Sequence, residues 1–403
     1  MLFEILLFSI LGILTGVLTG LIPGLHPNTV ITILISFSPV LLANFSVMEV
    51  AILILSMAVT NSIVDFIPSI LLGAPESDTS LGVLPGHRFL LEGKSYDAIR
   101  LTVLGGITSL AFIFTILIFI FPYIPMFYDI MKSYIPYILM GMVILSLIKS
   151  KRKLWAIITF ILSGTLGILV LNHGILNSDF VFFPLLTGLF GLSILFDSVR
   201  RTPNIPEQNK EGLVVSPKKI GKSGLIGTLS GFLVGFLPGI GAAQAAFLSQ
   251  HGFKSDDERS FMMAIGGVNT TNIILSIFAL WLIGKPRSGA GVAIQKVLNT
   301  IIFSDVVIFA GVVILSCSLG AIFTLLISKS MVDIFKKINY RYLCVDIIVF
   351  ILVMIFILTG MKGVMIALLA SSIGLVSILS KSRKSFLMGC LIIPTILLQL
   401  GVI

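Results

Sequence analysis

The chain has 403 residues, of which 57% are hydrophobic and 11% charged, and its mean hydropathy is +1.12. These values lie far outside the range of soluble globular proteins and predict an all-α polytopic protein of the cell membrane, without room for a sizeable soluble domain. The formal charge of +9 comes from short basic clusters between apolar runs. Such clusters are typical of loops that orient membrane helices, so the charge does not indicate a nucleic-acid partner.

The first predicted element, Met1 to Ile22, is a retained membrane helix, because it lacks the basic start and small-residue cleavage site of a signal peptide. Its glycines at four-residue spacing favour close packing against another helix. A Pro-Gly pair then breaks the helix, and this segment either crosses the membrane or re-enters it. Backbone groups freed by a break are tolerated at membrane depth only beside protein or a water-filled cavity, and a helix start favours an anion. The predicted substrate-binding residues here are Pro23, Gly24, His26, Asn28 and Thr29.

The next apolar run, Ala51 to Leu72, carries Thr60, Asn61 and Asp65. A carboxylate in such a run is costly, so Asp65 is the predicted coupling group for a proton or sodium ion, together with Thr60. Asn61 is predicted to bind substrate. An interhelical hydrogen bond, or an ion pair near the membrane interface, is the structural alternative at these positions. A second break follows at Gly73 to Ser80, where Ser77 is a further predicted substrate ligand.

Two tight basic turns and one long polar stretch predict the topology. The turns at Lys149 to Lys153 and Lys381 to Lys384 are predicted to be cytoplasmic. The stretch 200–223 is predicted to be a cytoplasmic linker. It separates a first transmembrane repeat, residues 1–199, from a second, residues 224–403.

The second repeat is visible as a duplicated pattern of glycine, proline and polar residues. Gly12, Gly16, Gly20, Pro23 and Gly24 recur at an offset of 215, and Thr60, Asn61, Gly73, Pro75 and Ser77 recur at an offset of 211. Counting spans from the basic turns puts matching loops on opposite sides, which predicts two inverted-topology repeats with broken or re-entrant helices at the Pro-Gly motifs. The matching predictions are substrate binding by Pro238, Gly239, Gly241, Gln244, Asn272, Arg287 and Ser288, and ion coupling by Thr271. Arg287 aligns with Glu76, and an ion pair between the two is the alternative to substrate binding.

Enzyme chemistry is not indicated. The three cysteines and four histidines show no disulfide or metal-ligand spacing, and no nucleophile elbow or Walker loop is present. The sequence therefore predicts no cofactor and no metal centre, apart from Na⁺ or H⁺ as a coupling ion.

At these residues the chain resembles the large membrane subunit of tripartite tricarboxylate transporters, the TctA family, and in particular its shorter archaeal branch. That family carries a glycine-rich helix ending in Pro-Gly-x-Gly in each half, here Gly12 to Pro27 and Gly227 to Gly241. His26 and Glu76 stand where the family usually has glycine. The resemblance implies an anion carrier that works with a small membrane subunit and an extracytoplasmic binding protein.

The leading hypothesis is a secondary transporter of a small, carboxylate-like organic anion, cation-coupled and working by alternating access. The alternative is a translocase for a polyprenyl phosphate, because such proteins share a similar glycine and proline signature. Both readings require membrane lipids around the chain. The sequence leaves a homodimer open.

Overall fold

The computed structural model describes residues 2–22, 42–71, 83–131, 133–148, 150, 152–172, 176, 181–201, 206–210, 212, 214–236, 258–284, 288–298, 300–335, 340–382 and 384–402. Regular secondary structure within these residues is helical, without strands. Seven of the described helices are long and apolar enough to cross a membrane. The predicted all-α, multi-pass fold is therefore confirmed.

The helices of the first half are α1 (Leu2–Leu21), α2 (Val47–Val64), α3 (Phe66–Leu71), α4 (Val83–Leu91), α5 (Ser95–Ile120), α6 (Ile124–Met131), α7 (Ile135–Ile148), α8 (Lys153–Asn172), α9 (Phe182–Leu186) and α10 (Ser193–Arg201). Those of the second half are α11 (Pro217–Phe236), α12 (Glu258–Ile283), α13 (Gly289–Leu298), α14 (Phe303–Phe335), α15 (Tyr340–Leu379) and α16 (Gly389–Gln399). A π-helical segment, Thr187–Leu192, joins α9 to α10.

The first long element after α1 is interrupted at Asp65, between α2 and α3. Pro68 has no N–H to donate to the Val64 carbonyl, which accounts for the interruption. The chain still turns as a helix there, because Asp65 N–H donates to the Asn61 carbonyl at 2.9 Å and Ser69 N–H donates to the Asp65 carbonyl at 3.2 Å.

Both glycine stripes pack a helix tightly along a parallel partner. A Cβ on Gly16 would lie 2.6 Å from the Met57 carbonyl and 2.8 Å from Thr60 Cβ. Glycines further along α1 contact residues further along α2, so these two helices run parallel. The same holds for α11 and α12. The contacts match at offsets of 215 and 211: Gly12 with Leu53, Gly16 with Met57 and Thr60, and Gly20 with Val64 correspond to Gly227 with Ala264, Gly231 with Val268 and Thr271, and Gly235 with Leu275.

The two partner helices, α2 and α12, run in opposite directions. One hydrophobic cluster combines residues 64–71 with residues 261–268. A second combines residues 50–63 with residues 274–280. Between the clusters the two helices cross, and Asn269 Nδ2 donates to the Ser62 carbonyl at 2.7 Å. These contacts support the predicted inversion of the two halves. The side of the membrane on which each matching loop lies stays a prediction.

The inter-repeat linker packs at one end of the molecule, which we call the linker end. Gln208 Nε2 donates to the Leu90 carbonyl at 2.9 Å, and Ser95 N–H donates to Gln208 Oε1 at 3.1 Å, so the linker holds the turn between α4 and α5. Arg88 of α4 pairs with Glu258, the first residue of α12. Helix α12 therefore begins at the linker end.

The two predicted basic turns are in contact. Arg152 Nη1 donates to the Ser380 carbonyl at 2.8 Å. Gly188 packs on Ala367, and Gly374 packs on Ser193, so α10 and the last part of α15 arrive together at this place. Since the linker follows α10 directly, both basic turns belong to the linker end. We call the opposite end of the molecule the far end. There the ring of Trp281 lies between the rings of Phe121 and Phe303, with centroid separations of 4.8 Å and 5.7 Å.

The described helices form two packed groups, each drawn from both halves. The core group comprises α1–α6 and α11–α14, and the flanking group comprises α7–α10, α15 and α16 with the π-helical segment. Within the described residues, the main packing contacts stay inside each group. One hydrophobic cluster joins the groups, and the other lies wholly in the core group.

Helix α15 is too long for one crossing. Its 40 residues are interrupted at Gly360, whose φ of 67° and ψ of −165° are not helical. A crossing needs about 20 residues. Gly360 therefore divides α15 into two parts, each long enough to span the membrane.

Candidate functional site

The predicted site residues divide into those that the structure describes and those that it does not. The described ones are Thr60, Asn61, Asp65, Thr271, Asn272 and Ser288. Outside the described residues lie Pro23, Gly24, His26, Asn28, Thr29, Ser77, Pro238, Gly239, Gly241, Gln244 and Arg287. The predictions for this second set stay predictions.

Asn61 and Asp65 form a buried polar cluster at the end of α1, which we call the first half-site. Asn61 is fully buried, and its Nδ2 donates to Thr19 Oγ1 at 3.0 Å. Thr19 Oγ1 in turn donates to the Gly16 carbonyl at 3.2 Å, so its lone pairs face the amide of Asn61. This fixes the amide orientation. Asn61 Oδ1 then has no hydrogen-bond partner among the described residues.

The first half-site lies where α1 ends and the predicted Pro-Gly break begins. Gly20 packs against Val64, so Leu21, the last residue of α1, is level with Asp65. Asp65 is 4% exposed. The partner element continues past this level to Leu71, a further length of about 10 Å at 1.5 Å per residue. Helix α1 therefore ends beside a buried carboxylate, before its partner element ends.

The second half-site is the corresponding place at the end of α11, formed by Asn272, Ser276 and Ser288. Gly235 packs against Leu275, so Phe236, the last described residue of α11, is level with Ser276. Ser276, which matches Asp65 at the offset of 211, shares a hydrogen bond with Ser288 at 2.8 Å between the hydroxyl oxygens. Ser288 Oγ also accepts from Gly291 N–H at 3.1 Å. The structure thus joins Ser288 to the polar face of α12.

The described members of the predicted set lie in two separate places. Asp65 is three residues from Ser62, toward the linker end, and Ser276 is seven residues from Asn269, toward the far end. At 1.5 Å per residue the two half-sites are about 15 Å apart along the helix axes, on either side of the crossing of α2 and α12.

Thr60 and Thr271 occupy matching positions and contact the glycine stripes. Thr60 Cβ lies against Gly16, and Thr271 Cβ against Gly231. Neither hydroxyl has a hydrogen-bond partner among the described residues. Their contacts are those of close packing, and their ion-coupling role stays a prediction.

Sequence comparison of the halves missed the polar residues at the crossing itself. A small cavity there is lined by Ser62 of α2, Thr102 and Gly106 of α5, Thr270 of α12 and Cys317 of α14. At the offset of 211, Asn269 and Thr270 match Ala58 and Val59. Since the first half carries no polar residue at either position, the repeat gave no signal. Among the described residues, no group of three or more His, Cys, Asp or Glu could hold a metal ion.

A family model described as the tripartite tricarboxylate transporter TctA family matches residues 6–389. The chain belongs to the TctA family. It is also 30% identical to an uncharacterized protein of the archaeon Methanocaldococcus jannaschii, over 97% of this chain and 98% of that protein. No solved structure matches. The resemblance seen in the glycine and proline motifs is therefore confirmed, and with it a place among integral membrane transporters.

Proposed function

We propose that this TctA-family chain is a cation-coupled secondary transporter of a small, carboxylate-like organic anion. The observation that carries the proposal is the end of a glycine-striped helix beside polar side chains of its partner helix, once in each half. These side chains are buried except for Asn272, which is half-buried. Asn61 and Asp65 stand at the end of α1, and Asn272 and Ser276 at the end of α11. Paired broken helices of this kind supply the ion and substrate sites of secondary transporters.

The depth of the two helix ends favours binding within the membrane. Helix α1 ends about 10 Å before the last described residue of α3, and the last described residue of α11 lies about 10 Å before the end of α12. Backbone at that depth needs partners, and a following helix start attracts an anion. Arg287 directly precedes Ser288 in the sequence, and its positive charge would pair with a carboxylate.

Cation coupling is electrically favourable for an anion carrier. One elementary charge that crosses 100 mV is worth about 2.3 kcal/mol. An anion entering a negative-inside cell moves against this field, and a co-transported Na⁺ or H⁺ offsets it. Asp65 is the proposed coupling carboxylate.

Alternating access would move one packed group against the other. Each group contains corresponding helices of both halves, and their main packing contacts are internal to the group in the described part of the chain. The core group contains both half-sites. Its displacement against the flanking group would therefore move the binding site from one side of the membrane toward the other. A small membrane subunit and an extracytoplasmic binding protein are the partners that the family name implies.

A thermal-shift screen of the purified chain tests the proposal, because a specific ligand stabilises the folded state by mass action. Citrate and other di- and tricarboxylates, inorganic phosphate and a polyprenyl phosphate would each be titrated at several sodium concentrations and pH values. We expect saturable stabilisation by at least one carboxylate. Arg287→Gln should abolish it while leaving the melting temperature of the free protein nearly unchanged.

The polyprenyl-phosphate alternative gives a different outcome in the same screen. Stabilisation by the lipid phosphate alone, with no response to any carboxylate, would replace the carboxylate proposal by lipid-carrier translocation. An Arg287→Gln variant that still binds every ligand of the wild type would remove that residue from the site.

A further inference from the structure

We propose that residues 206–210 of the linker, which we call the strap, hold α4 closed over the linker end of the first half-site. Gln208 must then leave its seat before this end can open. The inference rests on the proposed function, because alternating access requires each end of a carrier to open in turn. The contacts of Gln208, the position of α4 and the different construction of the matching turn at the far end support it.

One side chain of the strap joins the end of α4 to the start of α5. Gln208 is 4% exposed. Its Nε2 donates to the carbonyls of Leu90 and Pro206, both at 2.9 Å, and its Oε1 accepts from Ser95 N–H at 3.1 Å. Leu90 lies in the last turn of α4, and Ser95 is the first residue of α5. Because helix ends leave such groups without partners inside the helix, the linker supplies a cap to both helices.

The turn between α4 and α5 is shaped to receive the strap. Lys94, at the N-cap position of α5, makes no side-chain cap, since lysine carries no acceptor. Gly93 has a φ of 77°, and a Cβ there would lie 2.7 Å from the Glu207 carbonyl. Asn209 N–H donates to the Gly93 carbonyl at 2.7 Å. The turn therefore takes its cap from the linker and leaves room for the linker backbone.

Helix α4 lies on the linker-end side of the first half-site. A Cβ on Gly86 of α4 would lie 2.7 Å from Ile70 Cγ1 of α3. Ile70 is five residues past Asp65, which is about 8 Å at 1.5 Å per residue. Phe89 and Leu90 of α4 are buried in the same hydrophobic cluster as Ile70. Helix α4 thus covers α3 between the first half-site and the linker end.

The strap is the stronger of two polar attachments of α4. Arg88 also pairs with Glu258 of α12, but the two side chains are 61% and 32% exposed. Exposed ion pairs contribute little to stability. Removal of the buried Gln208 amide would instead leave the Ser95 N–H without its partner, which is costly. Release of Gln208 should therefore decide when α4 opens.

The matching turn of the second half, between α13 and α14, is closed by its own residues. Ile302 N–H donates to Asp305 Oδ2 at 3.0 Å, so the cap of α14 comes from its own first turn. Thr300 N–H donates to the Leu298 carbonyl at 2.6 Å. The cap of α5, by contrast, comes from the linker. The strap therefore acts on the linker end alone, the end that the basic turns predict to be cytoplasmic.

Maleimide labelling of Ile70→Cys in the purified full-length protein tests the strap without any transport ligand. Ile70 is 0% exposed, and the native cysteines are buried. We expect slow labelling with the strap intact and labelling at least about fivefold faster after Gln208→Ala, because local contacts set the frequency of local opening. Gln295→Ala is the matched control. This half-buried glutamine of α13 donates to the Gly284 carbonyl at 3.5 Å, and its loss should leave the labelling rate unchanged.

Three results would overturn the inference. Fast labelling of Ile70→Cys with the strap intact would show that α4 does not cover α3. Equal labelling rates in Gln208→Ala and Gln295→Ala would remove the strap. A Gln208→Ala variant that melts earlier but still labels slowly would reduce Gln208 to a structural contact.

If Gln208→Ala does not fold, hydrogen exchange of the unaltered protein decides the question. Release of the strap exposes the amides of Asn209 and Ser95 in one event, so their protection factors should agree within about tenfold. A larger difference would mean that the strap and the turn open separately, which contradicts the inference.

The result is separable from the proposed function. Faster labelling in Gln208→Ala of a protein that binds no carboxylate would leave the strap standing and remove the proposed function. Carboxylate binding with unchanged labelling in Gln208→Ala would do the reverse.

Discussion

At the residue scale, the glycine stripes explain why the same residues recur in both halves. Gly16 and Gly231 each lie against a threonine of the partner helix, and a Cβ would approach that threonine's Cβ to 2.8 Å and 2.7 Å respectively. Real side chains do not come this close. The duplicated glycines therefore have a structural role, the close contact between helix backbones, in addition to any role in transport.

Gly16→Ala and Gly231→Ala should destabilise the protein by similar amounts, about 1–3 kcal/mol each, as overpacking does in tight contacts. Thermal unfolding in detergent measures the effect. Gly311→Ala is the control, because that glycine of α14 has nothing within 4 Å of an added Cβ. If Gly16→Ala or Gly231→Ala melts like the Gly311 variant, the close packing described for that half is wrong.

How far the sequence predicted the site depends on the residue. Asn61 and Asp65 could be predicted because polar groups in an apolar run are conspicuous. Their location at the end of α1 follows from contacts that no motif encodes. Asn269 was not predicted as a site residue, because its polar partner, the Ser62 carbonyl, becomes a neighbour only where α2 and α12 cross.

At the element scale, the interruptions of the long helices have distinct causes. Pro68 lacks a backbone N–H donor and thereby separates α3 from α2. The proline is visible in the sequence, but the apolar residues around it favour one continuous helix. Gly360 interrupts α15 through its backbone alone, since nothing lies within 4 Å of an added Cβ. The neighbouring Lys362 and Gly363 interrupt the apolar run, and this signal for a break was overlooked.

Gly360→Ala should cost about 1–3 kcal/mol, because an alanine at φ 67° and ψ −165° is strained. Gly311→Ala again provides the comparison, since it too has open space but lacks the positive φ. In a helix interior alanine is favoured over glycine by about 0.5–1 kcal/mol, so that variant should melt slightly higher. Equal melting temperatures for the two variants would contradict the assigned backbone strain.

At the scale of the whole molecule, the proposed transport mechanism requires the two halves to have opposite orientations. The order of the elements and the basic turns allowed this to be predicted, and the antiparallel contacts of α2 and α12 support it. The division into core and flanking groups could not be predicted, because it depends on which helices of different halves pack together. Repeat alignment compares the halves and carries no information about contacts between them.

Labelling of single cysteines by a membrane-impermeant maleimide checks the orientation. Glu92, in the turn between α4 and α5, and Thr300, between α13 and α14, are exposed and occupy corresponding turns. We expect Thr300→Cys to react in intact cells, and Glu92→Cys only after permeabilisation. The native cysteines are all buried, so their background should be low. Labelling of both positions from the same side would exclude inverted halves.

Equilibrium binding of a labelled carboxylate to the purified protein, at low and at high sodium, tests the central claim most directly. The ligand is the carboxylate that stabilises the protein best in the thermal-shift screen. The account predicts saturable binding that sodium tightens, and by linkage the carboxylate must tighten sodium binding by the same factor. Asp65→Asn should remove this coupling and leave weak, sodium-independent binding. Absence of saturable carboxylate binding at every sodium concentration would contradict the account.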